Sequence, residues 1–263
     1  MNFWELIKYF LLGAIQGLTE PLPISSSAHM GILAHIFGIK DNSLTFEILI
    51  NFASFLAVGI LLSKNIKSDF FNNNKINFSL ISKLVISSIP LVITGLLLHN
   101  LLESSVNDMI GIAVSLLITS FILLLSFLIV DKAKNNNYTY INTLIMGFFQ
   151  SLAVFPGITR SGTVLLGGLT AKLNLKETLK FSFYMYMVAS FGSMVLKMPQ
   201  LVSTIKTNTT PIIYYITAFI SSFIFTMISF KWFIKVISKK SLLCFLIYTA
   251  ALGLFILIYN FVF

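Results

Sequence analysis

Arginine is almost absent from this chain of 263 residues, because 17 of its 18 basic residues are lysines and Arg160 is the single arginine. Cys244 is the only cysteine, which excludes an intrachain disulfide and a cysteine-rich metal site. Charged residues make up only 10% of the chain, far fewer than in an average soluble domain. The low content of charged residues therefore argues against a soluble domain, and the single cysteine argues against a disulfide-rich protein.

Apolar residues are abundant instead, at 57% of the chain. Crossing the hydrocarbon core of a membrane takes about 20 apolar residues in a helix. The sequence therefore predicts an all-α polytopic membrane protein, with a single membrane domain over residues 1–263. Six segments are expected to span, over residues 44–63, 84–99, 110–130, 177–197, 212–230 and 242–262.

Four further apolar segments, at 3–16, 28–38, 141–154 and 163–172, are too short to span. Each pair flanks a polar loop that contains proline and hydroxyl side chains. Two re-entrant helix-loop-helix hairpins, which enter and leave the membrane on the same side, account for this pattern. Non-helical backbone at membrane depth must line a cavity or be packed within protein, so both loops are expected to meet at a central site.

The lysines predict the orientation of this arrangement. Thirteen of them fall on one side of the membrane, and only Lys8, Lys40, Lys197 and Lys206 fall on the other. The positive-inside rule makes the lysine-rich side cytoplasmic. Both termini are then expected outside, with the first hairpin entering from outside and the second from the cytoplasm. The same distribution explains the net charge of +9 without a nucleic-acid partner.

A weak internal repeat relates the two predicted hairpins at an offset of 134 residues. It divides the chain into repeat 1, over about 1–130, and repeat 2, over about 135–263. Because the hairpins insert from opposite sides, the pattern is typical of an inverted-topology repeat. The identical pairs are Gly13 and Gly147, Gln16 and Gln150, Leu18 and Leu152, Ile24 and Ile158, and Ser27 and Ser161.

The hairpin loops carry the polar residues that could perform chemistry. An arginine buried in a membrane needs a partner, and its forked donors suit phosphate or carboxylate. Each loop also precedes a short helix, whose N-terminal amides favour an anion. The sequence thus predicts a phosphoryl-transfer site. Its candidates are Gln16, Thr19, Glu20, Ser25, Ser26, Ser27 and His29 in the first hairpin, and Gln150, Thr159, Arg160, Ser161 and Thr163 in the second.

Residues 16–29, QGLTEPLPISSSAH, resemble the first signature of the undecaprenyl-diphosphatase family, and residues 156–163, PGITRSGT, resemble its second. The resemblance covers essentially the full length. It implies a hydrolase that removes the terminal phosphate of undecaprenyl diphosphate in the bacterial plasma membrane. The product is the lipid carrier that is reused in cell-wall synthesis, and the activity confers bacitracin resistance. The oligomeric state is left open, a homodimer included.

The resemblance also implies roles for individual residues. Glu20 would bind Mg²⁺, or another divalent cation such as Ca²⁺, or would activate the nucleophile, with Gln16 as a second possible ligand. Arg160 would hold the diphosphate. The attacking group is Ser26, His29 or water, and we favour Ser26 with His29 assisting. Substrate contacts are expected from Gln16, Ser25, Ser27, Thr159, Arg160, Ser161 and Thr163.

Four positions depart from the usual family pattern: Pro21, Ala28, Thr159 and Val164. Gln16 fits the pattern, which allows glutamate or glutamine there, but it lacks the charge of a glutamate. Gln16 weakens any metal site built on two carboxylates. Three alternatives stay open at this point. The loop serines could serve as helix caps and Glu20 could pair with Arg160 as a structural ion pair. An inverted repeat with a midplane anion site is also how many transporters or flippases of anionic lipids are built.

Overall fold

The computed structural model describes residues 2–38, 44–72, 75–102, 109–155, 157–207 and 211–262. These residues form ten α-helices, two short 3₁₀ turns and a small hairpin in which β1 (Phe71–Asn72) pairs with β2 (Lys75–Ile76). Lys40 and Pro156 lie outside the described residues. The helices are α1 (Phe3–Thr19), α2 (Ser26–Phe37), α3 (Leu44–Phe70), α4 (Phe78–Leu102), α5 (Met109–Ile129), α6 (Tyr140–Ser151), α7 (Arg160–Thr170), α8 (Leu175–Thr207), α9 (Ile212–Val236) and α10 (Lys239–Val262).

Six of these helices are long and apolar enough to cross a membrane: α3, α4, α5, α8, α9 and α10. They coincide with the six predicted spans, so the prediction of a multi-pass membrane protein is confirmed. Several continue past the predicted ends, as α3 does beyond Lys64 to Phe70. Lysine is a good helix former and keeps its ammonium group in water while its stem covers apolar surface, so a lysine need not end a helix.

The four short segments also form helices, which pair as α1 with α2 and α6 with α7. The predicted starts of α2 and α7, at 28 and 163, were too late. The helices begin at Ser26 and Arg160, because Ser25 and Thr159 cap their first turns. The polar loops are therefore shorter than predicted, and Ser26 and Arg160 each occupy the first position of a short helix.

Close backbone contacts hold α1 against α9 and α6 against α4. A Cβ atom added to Gly13 would lie 2.1 Å from the carbonyl oxygen of Ala218, and one added to Gly147 would lie 2.2 Å from that of Ser87. Small residues of this kind let membrane helices approach closely. Gly13 and Gly147 are a matched pair of the sequence repeat. Each therefore packs its short helix against a long helix of the other half of the chain.

Helix α7 of the second short pair is enclosed by the long helices. All eight residues of α7 from Gly162 to Leu169 are buried. Leu165 and Leu169 belong to the largest apolar core, together with Phe183 of α8 and Phe233 of α9. This packing holds the start of α7, and with it Arg160, in the interior of the helix bundle.

Candidate active site

The starts of α2 and α7 are capped by side chains of the two loops. The hydroxyl of Ser25 accepts a hydrogen bond from the backbone N–H of Ala28 at 3.3 Å, and that of Thr159 accepts one from Gly162 at 3.4 Å. Capping is thus the observed contact of two residues that were predicted to bind substrate. The remaining amides and the positive dipole end of each helix favour a negatively charged group nearby.

Two hydrogen bonds join the loops to each other. Ser27 accepts one from the backbone N–H of Gly157 at 3.1 Å, and Ser161 donates one to the carbonyl oxygen of Leu22 at 3.0 Å. Ser27 and Ser161 are a matched pair of the sequence repeat, and each reaches the backbone of the opposite loop. These two serines therefore hold the two helix starts together.

Glu20 lies at the centre of the site and accepts three hydrogen bonds. One carboxylate oxygen accepts from Nη2 of Arg160 at 2.7 Å. The other accepts from the hydroxyl of Ser26 at 2.5 Å and from the amide of Gln16 at 2.9 Å. Burying a carboxylate is costly unless it is paired and hydrogen-bonded, and Glu20 meets both conditions. The ion pair that the sequence left open is therefore present, with the Ser26 hydroxyl beside it.

Arg160 is oriented by two residues of α8. Its guanidinium carbon lies 4.6 Å from the ring centre of Tyr186, within the range of a cation–π contact. Its Nη1 donates a long hydrogen bond of 3.5 Å to Ser190. Arginine has five N–H donors, so a phosphate in the cavity can accept further hydrogen bonds from it. Sequence reasoning missed Tyr186.

A cavity of about 630 Å³ opens from this cluster between α4 and α8. One end is polar, with Glu20, Ser26 and Arg160. The part between α4 and α8 is mainly apolar, with Leu91, Val92 and Leu96 of α4 and Val188, Ala189 and Leu196 of α8, although Ser88, Ser193 and Lys197 also line it. The cavity thus joins a polar pocket to an apolar channel, an arrangement that suits an amphiphilic ligand.

Lys197 and Asn51 also line the cavity, and neither was among the predicted site residues. Glu47, near the start of α3, interacts electrostatically with both Lys197 and Glu20. Lys197 lies on the lysine-poor side of the predicted topology, where a lysine needs another explanation than the positive-inside rule. That exception was the signal in the sequence that could have identified it.

Four predicted residues lie away from the cavity: His29, Thr163, Gln150, and Thr19, whose hydroxyl donates a hydrogen bond to the carbonyl oxygen of Ile15 at 2.7 Å. His29 is absent from the lining, and its ring stacks against Tyr248 of α10. Thr163 is buried and donates a hydrogen bond to the carbonyl oxygen of Arg160 at 2.9 Å. Gln150 is buried, and its side-chain oxygen is without a hydrogen-bond partner among the described residues. Gln16 is also absent from the lining but contacts Glu20.

The donor set fits a divalent cation that enters with a phosphate ligand better than a preformed metal cage. The described part of the chain contains no cluster of three His, Cys, Asp or Glu side chains. Glu20 is the carboxylate among the described residues that line the cavity, and its charge is already balanced by Arg160. Mg²⁺ is commonly held by one or two carboxylates together with substrate phosphates and water, so Glu20 can supply the protein ligand.

Known proteins match this sequence over nearly its whole length. A family model described as bacitracin resistance protein BacA matches residues 9–255. A protein named undecaprenyl-diphosphatase from Acholeplasma laidlawii is 37% identical, with 95% of each chain covered. One named undecaprenyl-diphosphatase 2 from Bacillus thuringiensis is 33% identical over 98% of this chain and 99% of its own. This chain therefore belongs to the bacitracin resistance protein BacA family.

Proposed function

We propose that this chain hydrolyses undecaprenyl diphosphate to undecaprenyl phosphate and inorganic phosphate, and so recycles the lipid carrier of cell-wall synthesis. The observation that carries the proposal is the cluster of Ser26, Glu20 and Arg160 at the polar end of an apolar channel. Relatives that align with this chain along almost their full length are named undecaprenyl-diphosphatase. A transporter of the same lipid would have no use for a serine hydroxyl hydrogen-bonded to a carboxylate.

In the proposed mechanism the Ser26 oxygen attacks the terminal phosphorus while its proton passes to the Glu20 carboxylate, 2.5 Å away. The bond from phosphorus to the bridging oxygen breaks, and undecaprenyl phosphate leaves. Glu20 passes its proton on to the departing undecaprenyl phosphate and is again a carboxylate when water attacks the phosphoserine. It then takes the proton of that water and returns it to the Ser26 oxygen, so inorganic phosphate and the free serine are released. The ordering of Glu20 by Gln16 holds its proton-accepting oxygen towards Ser26.

Arg160 and the two helix starts would stabilise the charge of the transferred phosphoryl group. Phosphoryl transfer relies mainly on positioning and on neutralising the phosphoryl oxygens. Tyr186 and Ser190 hold the guanidinium in place before substrate arrives, which reduces the cost of ordering it. A divalent cation bound by Glu20 and the diphosphate would add the charge neutralisation that a single arginine lacks.

The apolar channel is proposed to hold the polyprenyl tail. Leu96 of α4 is 72% exposed and Leu196 of α8 is 78% exposed, yet both also line the cavity. Residues that face both a cavity and the outer surface of the bundle mark a lateral opening. We propose that the tail passes between α4 and α8 into the bilayer while the diphosphate reaches Arg160.

The cavity runs towards the lysine-poor side, since its lining includes residues 91–96 of α4 and 193–197 of α8. We propose that this side is the outer face of the bacterial plasma membrane, with both termini outside. The two short helix pairs would then be re-entrant hairpins from opposite faces. Two features support an inverted repeat: Gly13 and Gly147 make equivalent close contacts, and Ser26 and Arg160 stand at equivalent positions 134 residues apart.

The test is release of inorganic phosphate from undecaprenyl diphosphate by the purified protein in detergent, where no compartments exist and transport produces no signal. We expect one phosphate for each undecaprenyl phosphate formed, and loss of release in Ser26→Ala. Glu5→Gln is the matched control, because Glu5 pairs with Lys8 near the start of α1, away from the cavity lining. A folded wild-type protein that releases no phosphate would contradict the proposal.

A further inference from the structure

His29 is held in one orientation by contacts on both of its ring nitrogens. Nδ1 lies 2.7 Å from the carbonyl oxygen of Ser25, and Nε2 lies 2.7 Å from the hydroxyl of Tyr248 on α10. The two rings are nearly parallel, at 11°, with centres 5.7 Å apart. His29 is absent from the cavity lining, whereas Ser25, Ser26 and Ser27 before it are present. Its ring is therefore directed to α10 and away from the substrate cavity.

These contacts define the tautomer. A carbonyl oxygen can only accept, so Nδ1 of His29 must carry the hydrogen that is donated to Ser25. Nε2 of the neutral ring then accepts a hydrogen bond from the hydroxyl of Tyr248. That hydroxyl lies on a membrane-spanning helix, where water is scarce and a polar group needs a protein partner. Both nitrogens are thus engaged, and neither is placed to take the proton of Ser26.

The Ser25 carbonyl that receives this hydrogen bond belongs to an unusual piece of backbone. Ser25 has φ 67° and ψ 94°, a left-handed conformation that a residue with a side chain seldom adopts. Its carbonyl oxygen also accepts from the backbone N–H of His29 at 3.3 Å. Such a conformation persists only when surrounding contacts hold it. The imidazole of His29 supplies the shorter of these two hydrogen bonds.

Fixing the Ser25 carbonyl fixes the peptide plane that leads into Ser26. That plane sets where the Ser26 Cα begins α2, and hence the distance of 2.5 Å between the Ser26 hydroxyl and Glu20. A nucleophile displaced by about 1 Å can lose about 100-fold in rate. Small rotations of this peptide would therefore affect turnover strongly and substrate binding much less.

We propose that His29 and Tyr248 form a positioning pair, which acts through the Ser25 carbonyl to hold Ser26 against Glu20, and that His29 is neither the nucleophile nor the base. The proposal rests on the proposed diphosphatase function. It assigns a role to Tyr248, a residue that lies more than 200 positions from the motif in sequence. It also gives His29 a place in the motif without a contact to substrate.

The proposal is tested by replacing His29 with asparagine or glutamine, each of which keeps a nitrogen at only one of the two ring-nitrogen positions. The amide nitrogen of asparagine occupies the place of Nδ1 and can still donate to the Ser25 carbonyl, whereas that of glutamine reaches the place of Nε2 and cannot. We expect His29→Ala and His29→Gln to lose about 100-fold in kcat with KM changed less than about threefold, because positioning alone is lost. His29→Asn is expected to recover to within about tenfold of wild type. A folded His29→Asn protein as inactive as His29→Ala would overturn the proposal.

Tyr248→Phe tests the second half of the pair. It keeps the stacked ring and removes the hydroxyl, so kcat should fall by about three- to tenfold in the wild-type background, as expected for one lost hydrogen bond. In the His29→Asn background it should have no further effect, since asparagine is too short to reach Tyr248. An equal loss in both backgrounds would contradict the coupling. Tyr140→Phe, whose hydroxyl bonds to Ser82 outside the cavity lining, is the matched control.

A second readout does not depend on activity. Nitrogen NMR of the histidine side chains in detergent, assigned with His29→Asn, should show His29 with hydrogen on Nδ1, and Tyr248→Phe should shift its Nε2 resonance. Hydrogen on Nε2 would overturn the proposal even in a fully active protein. Failure of the wild type to release phosphate would instead contradict the proposed function, and the NMR result would still decide the side-chain arrangement.

Discussion

Replacing Glu20 by glutamine removes the charge at the centre of the site and keeps the shape of the side chain. Glu20 accepts hydrogen bonds from Arg160 on one oxygen and from Ser26 and Gln16 on the other. Glutamine has a single acceptor oxygen and an NH₂ group, so it cannot serve both sides of this arrangement. The substitution therefore tests the proposed base and the ion pair together.

Two magnitudes follow from the geometry. A side chain that takes a proton in the transition state contributes about 10²- to 10⁴-fold, so kcat should fall by that factor. Removing one partner of a fully buried ion pair costs about 3–5 kcal/mol, but the Arg160 side chain is 26% exposed and lies at the cavity. We therefore expect the free energy of unfolding to fall by about 1–3 kcal/mol.

Initial rates of phosphate release and the thermal midpoint in detergent measure these two effects separately. Glu5→Gln serves as the control, since its partly buried pair with Lys8, one helical turn along α1, is worth about 1 kcal/mol or less. A Glu20→Gln protein that retains kcat within tenfold of wild type would refute the assignment of Glu20 as the base. An unchanged thermal midpoint would refute the stabilising role of the ion pair.

Three further predictions concern packing, substrate capture and the nucleophile. Gly13→Ala should lower the thermal midpoint by several degrees, since overpacking costs about 1–3 kcal/mol. The control is Gly95→Ala inside α4, where the methyl group meets nothing within 4 Å; it should not lower the midpoint, because alanine is the better helix former. Lys197→Gln should raise KM by about three- to tenfold with little change in kcat if its ammonium group attracts the diphosphate, and Lys235→Gln should not. Ser26→Ala should lower kcat by at least about 10³-fold, as for loss of a covalent nucleophile, and substantial remaining turnover would identify water as the attacking group.

The overall architecture was largely readable from the sequence, because helix length against bilayer thickness is a strong constraint. Six spans and two short helix pairs followed from the apolar runs alone. The ends of the helices were less predictable. Serine and threonine are common capping residues, so Ser25 and Thr159 could have been expected to cap a helix. Whether they do depends on the loop geometry, and because they do, α2 and α7 begin two and three residues before the predicted starts.

Side-chain directions within the site were beyond the sequence. His29 follows Ser25 by four residues, which places the two on one face of a helix, yet the stacking partner Tyr248 is set by how α10 packs. Tyr186 lies one helical turn before Ser190, and Ala189-Ser190-Phe191 repeats Ala53-Ser54-Phe55 in the sequence. Following that turn along α8 would have found the residue that stacks on Arg160.

The arginine provides the most direct test of the central claim that this pocket binds and cleaves a lipid diphosphate. Phosphate release from undecaprenyl diphosphate should be measured for wild type, Arg160→Ala and Arg160→Lys, with and without Mg²⁺, in proteins shown to be folded. We expect metal-dependent release by wild type, a loss of at least about 10³-fold in Arg160→Ala, and a large loss in Arg160→Lys because an ammonium group cannot reproduce the forked contacts. An Arg160→Ala protein within threefold of wild type would contradict the account.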